Sequence, residues 1–303
     1  MTNRKIKLKA AAGGAGGSWH VLLQGLARLV NEARPEIEIE VVEGGGVMNH
    51  ELVGSGELPM AILNPPMTVA AVSGKSPYSQ PYPELRIGVA NLTVNYLHFA
   101  VSSEMPIESF EEMCRGRHPI NIPVDRVGTV DRMMFRLALE YYGVTEDDLE
   151  SWGEQLMPAV NYNEQLALYS DGRANALWQF MGVPSPSMQE AHRIRPIRLL
   201  PFDDGLIAHL CSMGWASANL PAGAYDATDI PVPTIAMGTS LGFHASVSDD
   251  VVYSITSAIC EKASAVHEIH PAAVDFDPQK AHRDGGTLLH PGAERYFREK
   301  GLV

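Results

Sequence analysis

The sequence predicts an α/β fold organised as two lobes. Three observations carry this. Apolar residues alternate with period two in short stretches and with helical period in the stretches between them. Glycine-rich or turn-rich loops sit where a strand stretch ends and a helical stretch begins. The strand–helix alternation also starts afresh after about residue 100, and 303 residues suit about two domains.

The elements follow in order. Ile6, Leu8 and Ala10 alternate with lysines, a strand. The loop Gly13-Gly14-Ala15-Gly16-Gly17-Ser18 leads into a helix with the stripe Trp19, Leu22, Leu23, Leu26 and Val30, and Ser18 is the expected N-cap. Ile37, Ile39 and Val41 alternate with glutamates, a second strand, so the first forty residues read as a right-handed parallel β-α-β unit. A second loop, Glu43-Gly44-Gly45-Gly46, precedes a short helix over 48–55. A strand over 60–63 ends at Asn64-Pro65-Pro66, where another helix begins. Two strands are expected over 85–90 and 97–101, and another over 119–122. The stripe Val130, Met133, Met134, Leu137, Ala138 and Tyr141 then marks a helix. Strands are expected over 175–180, 197–200 and 234–245, an irregular stretch over 217–233, and a helix over 249–268.

Composition excludes several classes. Apolar residues make up 45% of the chain, too many for intrinsic disorder. The net charge of −13 repels phosphate backbones, so nucleic acid is not an expected partner. No apolar run approaches the roughly 20 residues of a membrane-spanning helix. The first ten residues carry four basic side chains but no apolar core of a secretory signal. The expected location is periplasmic if a leader was removed ahead of Met1, and cytoplasmic if Met1 is the native start. The three cysteines, Cys114, Cys211 and Cys260, are too far apart in the chain for a zinc ribbon, and their odd number argues against a disulfide framework.

Chemistry is expected at the three loops that follow a strand and precede a helix: 13–18, 43–49 and 125–130. Ligands of open α/β sheets bind beyond the carboxyl ends of the strands, where helix starts offer unpaired N–H groups and partial positive charge. Such loops suit a small anion. The dinucleotide fingerprint would need a glycine at position 19, which is Trp19. The phosphate loop would need Gly-Lys-Ser/Thr, and Gly17 is followed by Ser18 and Trp19. Neither a nucleotide cofactor nor a metal is expected. His267 and His270 stand three apart in His-Glu-Ile-His, which is not a zinc motif. Trp19 is either the first core residue of its helix or one wall of a pocket, with Trp178 and Phe180 as walls opposite. Arg126 is either a carboxylate clamp or an exposed arginine. Asn49, Asn64, Thr129 and Gln179 are candidates for the few polar groups a small-ligand pocket uses, and Asn64 reads equally as a turn residue. His20, His50, His98 and His244 each read as an acid or base, or as a hydrogen-bonded packing residue.

The residues also resemble a known family. The stretches Gly13-Gly14-Ala15-Gly16-Gly17-Ser18-Trp19, Glu43-Gly44-Gly45-Gly46-Val47-Met48-Asn49, Val127-Gly128-Thr129, Met181-Gly182-Val183-Pro184-Ser185-Pro186 and Leu289-His290-Pro291-Gly292-Ala293-Glu294-Arg295-Tyr296 resemble the TAXI family of solute-binding proteins, which serve TRAP transporters. The resemblance implies a two-lobed type II periplasmic binding-protein fold: mixed sheets flanked by helices, with a ligand cleft between the lobes. Lobe one is expected over 1–98 and 236–303 and lobe two over 99–235, with hinge crossings near 97–101 and 233–237. It implies a small carboxylate ligand, permease subunits of a TRAP transporter as partners, and a monomer. The expected ligand set is Gly16, Gly17, Ser18, Trp19, Val47, Asn49 and Asn64 from the first lobe, and Arg126, Gly128, Thr129, Val130, Gln179 and Phe180 from the second. Where the family has Gly-Ser-Gly-Thr-Glu, this chain has Arg126-Val127-Gly128-Thr129-Val130. The alternative expectation is a cytoplasmic enzyme on the same fold, a decarboxylase or isomerase of a small acid, with His20 or His50 as acid/base.

Overall fold

A computed structural model describes residues 5–14, 17–153, 155–159, 161–226 and 228–303. The chain divides into two compact units, Met1–Val94 with Met237–Val303 as unit 1 and Asn95–Ala236 as unit 2.

Unit 1 opens with β1 (Ile6–Ala11), α1 (Ser18–Ala33), β2 (Ile37–Val42), α2 (Met48–Gly54), β3 (Met60–Leu63) and α3 (Pro65–Ser73). β1 runs parallel to β2, from Ile6 opposite Ile37 to Ala11 opposite Val42. It also runs parallel to β3 at Ala10 opposite Met60 and Ala11 opposite Ala61. β1 therefore lies between β2 and β3, and the chain passes over it on its way from β2 to β3. Leu22, Leu23, Leu26 and Val30 of α1 are buried, as the stripe requires. Ser18 is not the N-cap. Gly17 takes that place in an extended conformation with no side-chain cap, and Ser18 is the first helical residue. The glycine loop reaches the helix geometry directly, so the helix starts one residue early. At the outer edge of β2, Asn31 Oδ1 accepts the Ile39 N–H at 3.0 Å, which blunts that edge against further pairing.

The two strands expected over 85–101 are one, β4 (Leu85–Ser102). Asn91 takes a positive φ of 56° within it and donates to the carbonyls of Lys280 and Arg283 at 3.1 Å each, so the strand bends without ending. β4 carries the chain into unit 2. That unit holds α4 (Phe110–Gly116), β5 (Asn121–Val124), α5 (Val130–Tyr141), α6 (Glu146–Ser151), β6 (Gln155–Pro158), α7 (Tyr162–Ser170), β7 (Ala176–Met181), α8 (Pro186–Ile194), β8 (Ile197–Leu199), α9 (Asp204–Ser212) and β9 (Ala216–Leu220). Six of its helices begin on a side-chain cap: Ser109, Thr129, Thr145, Asn161, Ser185 and Asp203. Each such cap contributes about 1 kcal/mol. β7 pairs antiparallel with β4 from Tyr96 opposite Met181 to Val101 opposite Ala176. Every residue of β7 is buried. Trp178 faces an aromatic cluster of Phe99, Phe110, Phe135 and Phe202, while Leu177 faces an aliphatic one with Leu168, Met188, Ile197 and Leu199.

The stretch expected to be irregular over 217–233 contains β9. It pairs antiparallel with β10 (Val232–His244), from Leu220 opposite Val232 to Ala216 opposite Ala236. Its small, mostly exposed residues carry no apolar alternation that the sequence could display. β10 returns the chain to unit 1, where Ser240–Phe243 pairs antiparallel with β3. The single helix expected over 249–268 breaks at Lys262 into α10 (Asp249–Glu261) and α11 (Ala263–His267). Last comes α12 (Pro291–Glu299), packed on α10 so closely that a Cβ at Gly292 would lie 2.1 Å from the Asp249 carbonyl oxygen.

Candidate functional site

The strand order of unit 1 creates the position where open parallel sheets bind ligands. Crossovers from β1 and β3 leave in different directions, so the loops after Ala11 and Leu63 diverge at the carboxyl ends of the strands. Asn49, at the start of α2, ties this point together. Its Nδ2 donates to Ala12 O and Ile62 O at 2.8 Å each, and its Oδ1 accepts the Gly45 N–H at 2.9 Å. The partners fix the amide orientation, since a flipped amide would set its NH2 against the Gly45 N–H. Asn49 is fully buried. The amide expected to face a ligand is thus spent on holding three backbone segments in register. Asn64 behaves alike: it caps α3 by accepting the Met67 N–H at 3.1 Å and donates to Gly46 O at 3.4 Å. Gly44 is required by sterics, because a Cβ there would lie 2.1 Å from Asn49 Oδ1 and 2.7 Å from Ala12 O.

Trp19 stands at the first turn of α1, 8% exposed. Its indole N–H donates to Thr239 Oγ1 at 3.1 Å, and Thr93 Oγ1 donates to the same oxygen at 2.8 Å. Both threonines were missed by sequence reasoning, for they sit in strands 146 and 220 positions from their partners with no local signal. Gly17 and Ser18 frame the start of α1, Val47 is buried ahead of α2, and Gly16 lies outside the described residues.

In unit 2 the loop between β5 and α5 carries the expected residues. Thr129 caps α5, accepting the Arg132 N–H at 3.3 Å, while its hydroxyl donates to Arg126 O at 2.9 Å. Gly128 takes φ +93° with open space beside it, and Arg126 is exposed next to a strongly exposed Val127. Val130 is buried. Phe180 is buried and packs on Trp215 with ring centres 5.7 Å apart. Gln179 is fully buried and donates to Gln165 Oε1 at 3.0 Å. Trp178, expected as a pocket wall, is instead the hub of the aromatic core at 2% exposure, because strand alternation turns it to the face that meets α5.

The histidines divide by what burial does to them. His50 Nε2 lies 3.0 Å from Thr68 Oγ1, whose own proton goes to Asn64 O. Nε2 therefore carries the hydrogen, and burial lowers the His50 pKa to about 4. His98 Nδ1 lies 2.8 Å from the Tyr96 carbonyl, which only accepts, so Nδ1 is protonated. Nε2 then accepts from Tyr225 Oη at 2.8 Å, and Tyr225 Oη accepts the Ser185 N–H at 2.8 Å. Burial lowers the His98 pKa to about 4 as well. Both rings are neutral packing groups at pH 7. His20 pairs with Gln24 at 2.9 Å on α1, His244 with Ser246 at 2.7 Å, and His290 caps α12. His267 meets the Phe276 carbonyl, and His270 caps its own turn. Among the described residues no group of three or more His, Cys, Asp or Glu side chains is assembled to hold a metal, and no helix is long and apolar enough to cross a membrane.

The buried rings set a pH dependence. The unfolded chain binds protons at His98 near 6.5 and the folded chain only near 4, so stability is full above about 6.5 and is lost as pH falls toward 4. His98→Gln is expected to flatten the acid side of the stability profile relative to wild type. Urea midpoints measured across that window test it, and parallel profiles would show that folding does not lower the His98 pKa.

A family model matches residues 10–301 and is described as the NMT1-like family. The chain belongs to the NMT1-like family. Its fold is the type II fold of periplasmic binding proteins. Three solved structures are similar to it. An R. palustris protein solved with adipate is 14% identical, with a TM-score of 0.57 over 98% of this chain and 95% of that one. A Clostridium perfringens protein solved with bound phosphate is 12% identical, with a TM-score of 0.51 over 88% and 98%. The effector-binding domain of a BenM variant is 12% identical, with a TM-score of 0.50 over 89% and 97%. At these identities the likeness concerns the fold, and this NMT1-like chain shares it almost end to end.

Proposed function

We propose that the protein is a solute-binding protein that captures a small carboxylate and delivers it to a TRAP-type transporter, as the TAXI class does. The observation that carries this reading is the strand switch point of unit 1. There a glycine-rich backbone, the start of the sixteen-residue helix α1 and the ring of Trp19 surround the ends of β1 and β3. A helix start and closely approachable backbone favour a compact anion. Adipate and phosphate in two proteins of the same fold are both anions, which supports that ligand class. In this reading Gly17, Ser18 and Val47 contribute backbone from unit 1, with Trp19 as an apolar wall. Asn49 and Asn64 serve by holding that backbone in place. Gly128, Thr129 and Val130 contribute from unit 2, Phe180 supplies a second wall backed by the buried Gln179, and Arg126 neutralises the carboxylate. The protein works as a monomer, in the periplasm, with a permease as partner.

Calorimetry against adipate, glutamate, phosphate and the neutral diamide of adipate tests the ligand class. Binding of a carboxylate without its amide is the expected result, and binding of none of the anions rejects the reading. A hydrogen bond to a charged group contributes about 1.5–3 kcal/mol. Arg126→Ala is accordingly expected to weaken the best carboxylate about 10- to 100-fold. Unchanged affinity would remove Arg126 from the site.

A further inference from the structure

Asp131 is the second residue of α5, in the first turn, where an acidic side chain suits the helix dipole. Its surroundings assign it more. The Asp131 Oδ1 atom accepts the Phe180 N–H at 2.7 Å, and Tyr162 Oη stands 2.7 Å from the same oxygen. Tyr162 Oη also stands 3.0 Å from Phe180 O. The Trp178 indole N–H donates to the Asp131 carbonyl at 3.0 Å. Three elements of unit 2, namely α5, α7 and β7, thus meet at one carboxyl group, and both Asp131 and Phe180 are buried.

The protons in this cluster can be counted. Phe180 O only accepts, and an ionised carboxylate only accepts. Tyr162 has one phenolic proton. With Asp131 ionised, that proton serves either Asp131 or Phe180 O, and the other contact is oxygen against oxygen. With Asp131 protonated, the acid donates to Tyr162 Oη, Tyr162 donates to Phe180 O, and the Phe180 N–H still donates to Oδ1. Each of the three contacts then holds one proton, and no acceptor faces an acceptor.

We infer that Asp131 is a neutral acid in the folded protein, and that its proton is the latch that lets Tyr162 hold the Phe180 carbonyl. Losing the proton turns the Tyr162 hydroxyl to Asp131 and leaves the Phe180 carbonyl without that donor, while the Phe180 N–H stays on Oδ1. The titratable groups that face Asp131 are Asp125, from the loop after β5, and Tyr162, from α7. β7 faces it with backbone and the Trp178 indole. Arg126 acts on Asp125, and Arg132, next along α5, is committed to Glu146 at 2.7 Å. Burial first, and the neighbouring Asp125 second, push the Asp131 carboxyl up to about 7, in keeping with the proton count. The latch stands on unit 2 alone and holds whether or not the proposed ligand is correct.

The test is carbon-13 NMR of the protein labelled at the aspartate carboxyls, followed through neutrality. One resonance is expected to titrate near 7 and to be missing in Asp131→Asn. If no carboxyl titrates above the ordinary aspartate range near 3.8, the inference is overturned. Stability gives a second readout. The folded state holds this proton where the unfolded chain has released it, so wild type loses stability relative to Asp131→Asn as pH rises from about 3.8 to about 7, and the difference is flat above. Parallel curves would overturn the assignment. Should Asp131→Asn not fold, Tyr162→Phe keeps the ring and removes only the hydroxyl. It must move the midpoint of the same resonance, and an unmoved midpoint separates Tyr162 from the acid and ends the latch.

Discussion

Asn49→Ala is expected to destabilise the protein by about 3–4 kcal/mol, because it strips the partners from three buried backbone groups at about 1–3 kcal/mol each. Those groups are the Gly45 N–H and the carbonyls of Ala12 and Ile62. No water reaches a fully buried position to replace the amide. Urea unfolding should show a lower midpoint with an unchanged slope. Asn49→Asp separates hydrogen bonding from volume: it has the same shape but sets a second oxygen against two carbonyls. It is expected to cost at least as much as alanine. A loss below about 1 kcal/mol for both, no more than one ordinary hydrogen bond, would mean that the ends of β1 and β3 are held by something other than this amide. Since the amide shapes the backbone of the proposed anion site, a folded Asn49→Ala protein should also bind the best carboxylate more weakly. Gly44→Ala tests the same junction from the opposite side, by driving a methyl into Asn49 Oδ1 and Ala12 O.

Trp178→Ala is expected to cost about 3–5 kcal/mol, in the range for removing a buried large aromatic side chain. Its ring lies 5.3 Å from Phe135, 5.4 Å from Phe110, 5.6 Å from Phe202 and 6.0 Å from Phe99. Truncation empties the centre of that cluster and leaves the Asp131 carbonyl without its indole donor. Trp178→Phe keeps most of the packing and removes the N–H, so it should lose only about 1–2 kcal/mol. The comparison also tests the place of Trp178. As a core residue its truncation moves the thermal midpoint first and ligand affinity only through the fold. A Trp178→Ala protein of wild-type stability that bound carboxylates poorly would return this tryptophan to the ligand wall.

The pH profile combines opposed contributions, and only differences between variants resolve them. His50 and His98 make stability rise with pH between about 4 and 6.5. Asp131 makes it fall over an overlapping window, up to about 7. A wild-type curve that looks flat across mildly acidic pH is therefore consistent with large individual slopes. The His98→Gln and Asp131→Asn profiles should tilt in opposite directions from it.

The sequence by itself determined the α/β class and most of the elements that build unit 1. β1, α1 and β2 are each marked by a period of two or of 3.6, and α2 and β3 by the glycine and proline turns beside them. Those signals are local: the face a residue presents depends on its immediate neighbours along the chain. The helix after Thr129 was legible in the same way, from the apolar stripe that starts at Val130. The short helices of unit 2 and the small-residue strand β9 carried little periodicity and went unread.

Only the tertiary structure decided what the polar residues do. Asn49 reads as a ligand contact until Ala12 and Ile62 stand beside it. Asp131 drew no reading from the sequence, and Phe180, 49 positions away, gives it a hydrogen bond. Trp19 reads as a core residue or a pocket wall, and only the fold shows that Thr239, 220 positions away, accepts its N–H. The physical reason is common to all three. In water each of these groups bonds to solvent and its neighbours are immaterial. Folding removes the solvent, and the group must then bond to whatever the packing of distant segments has placed within 3 Å or so.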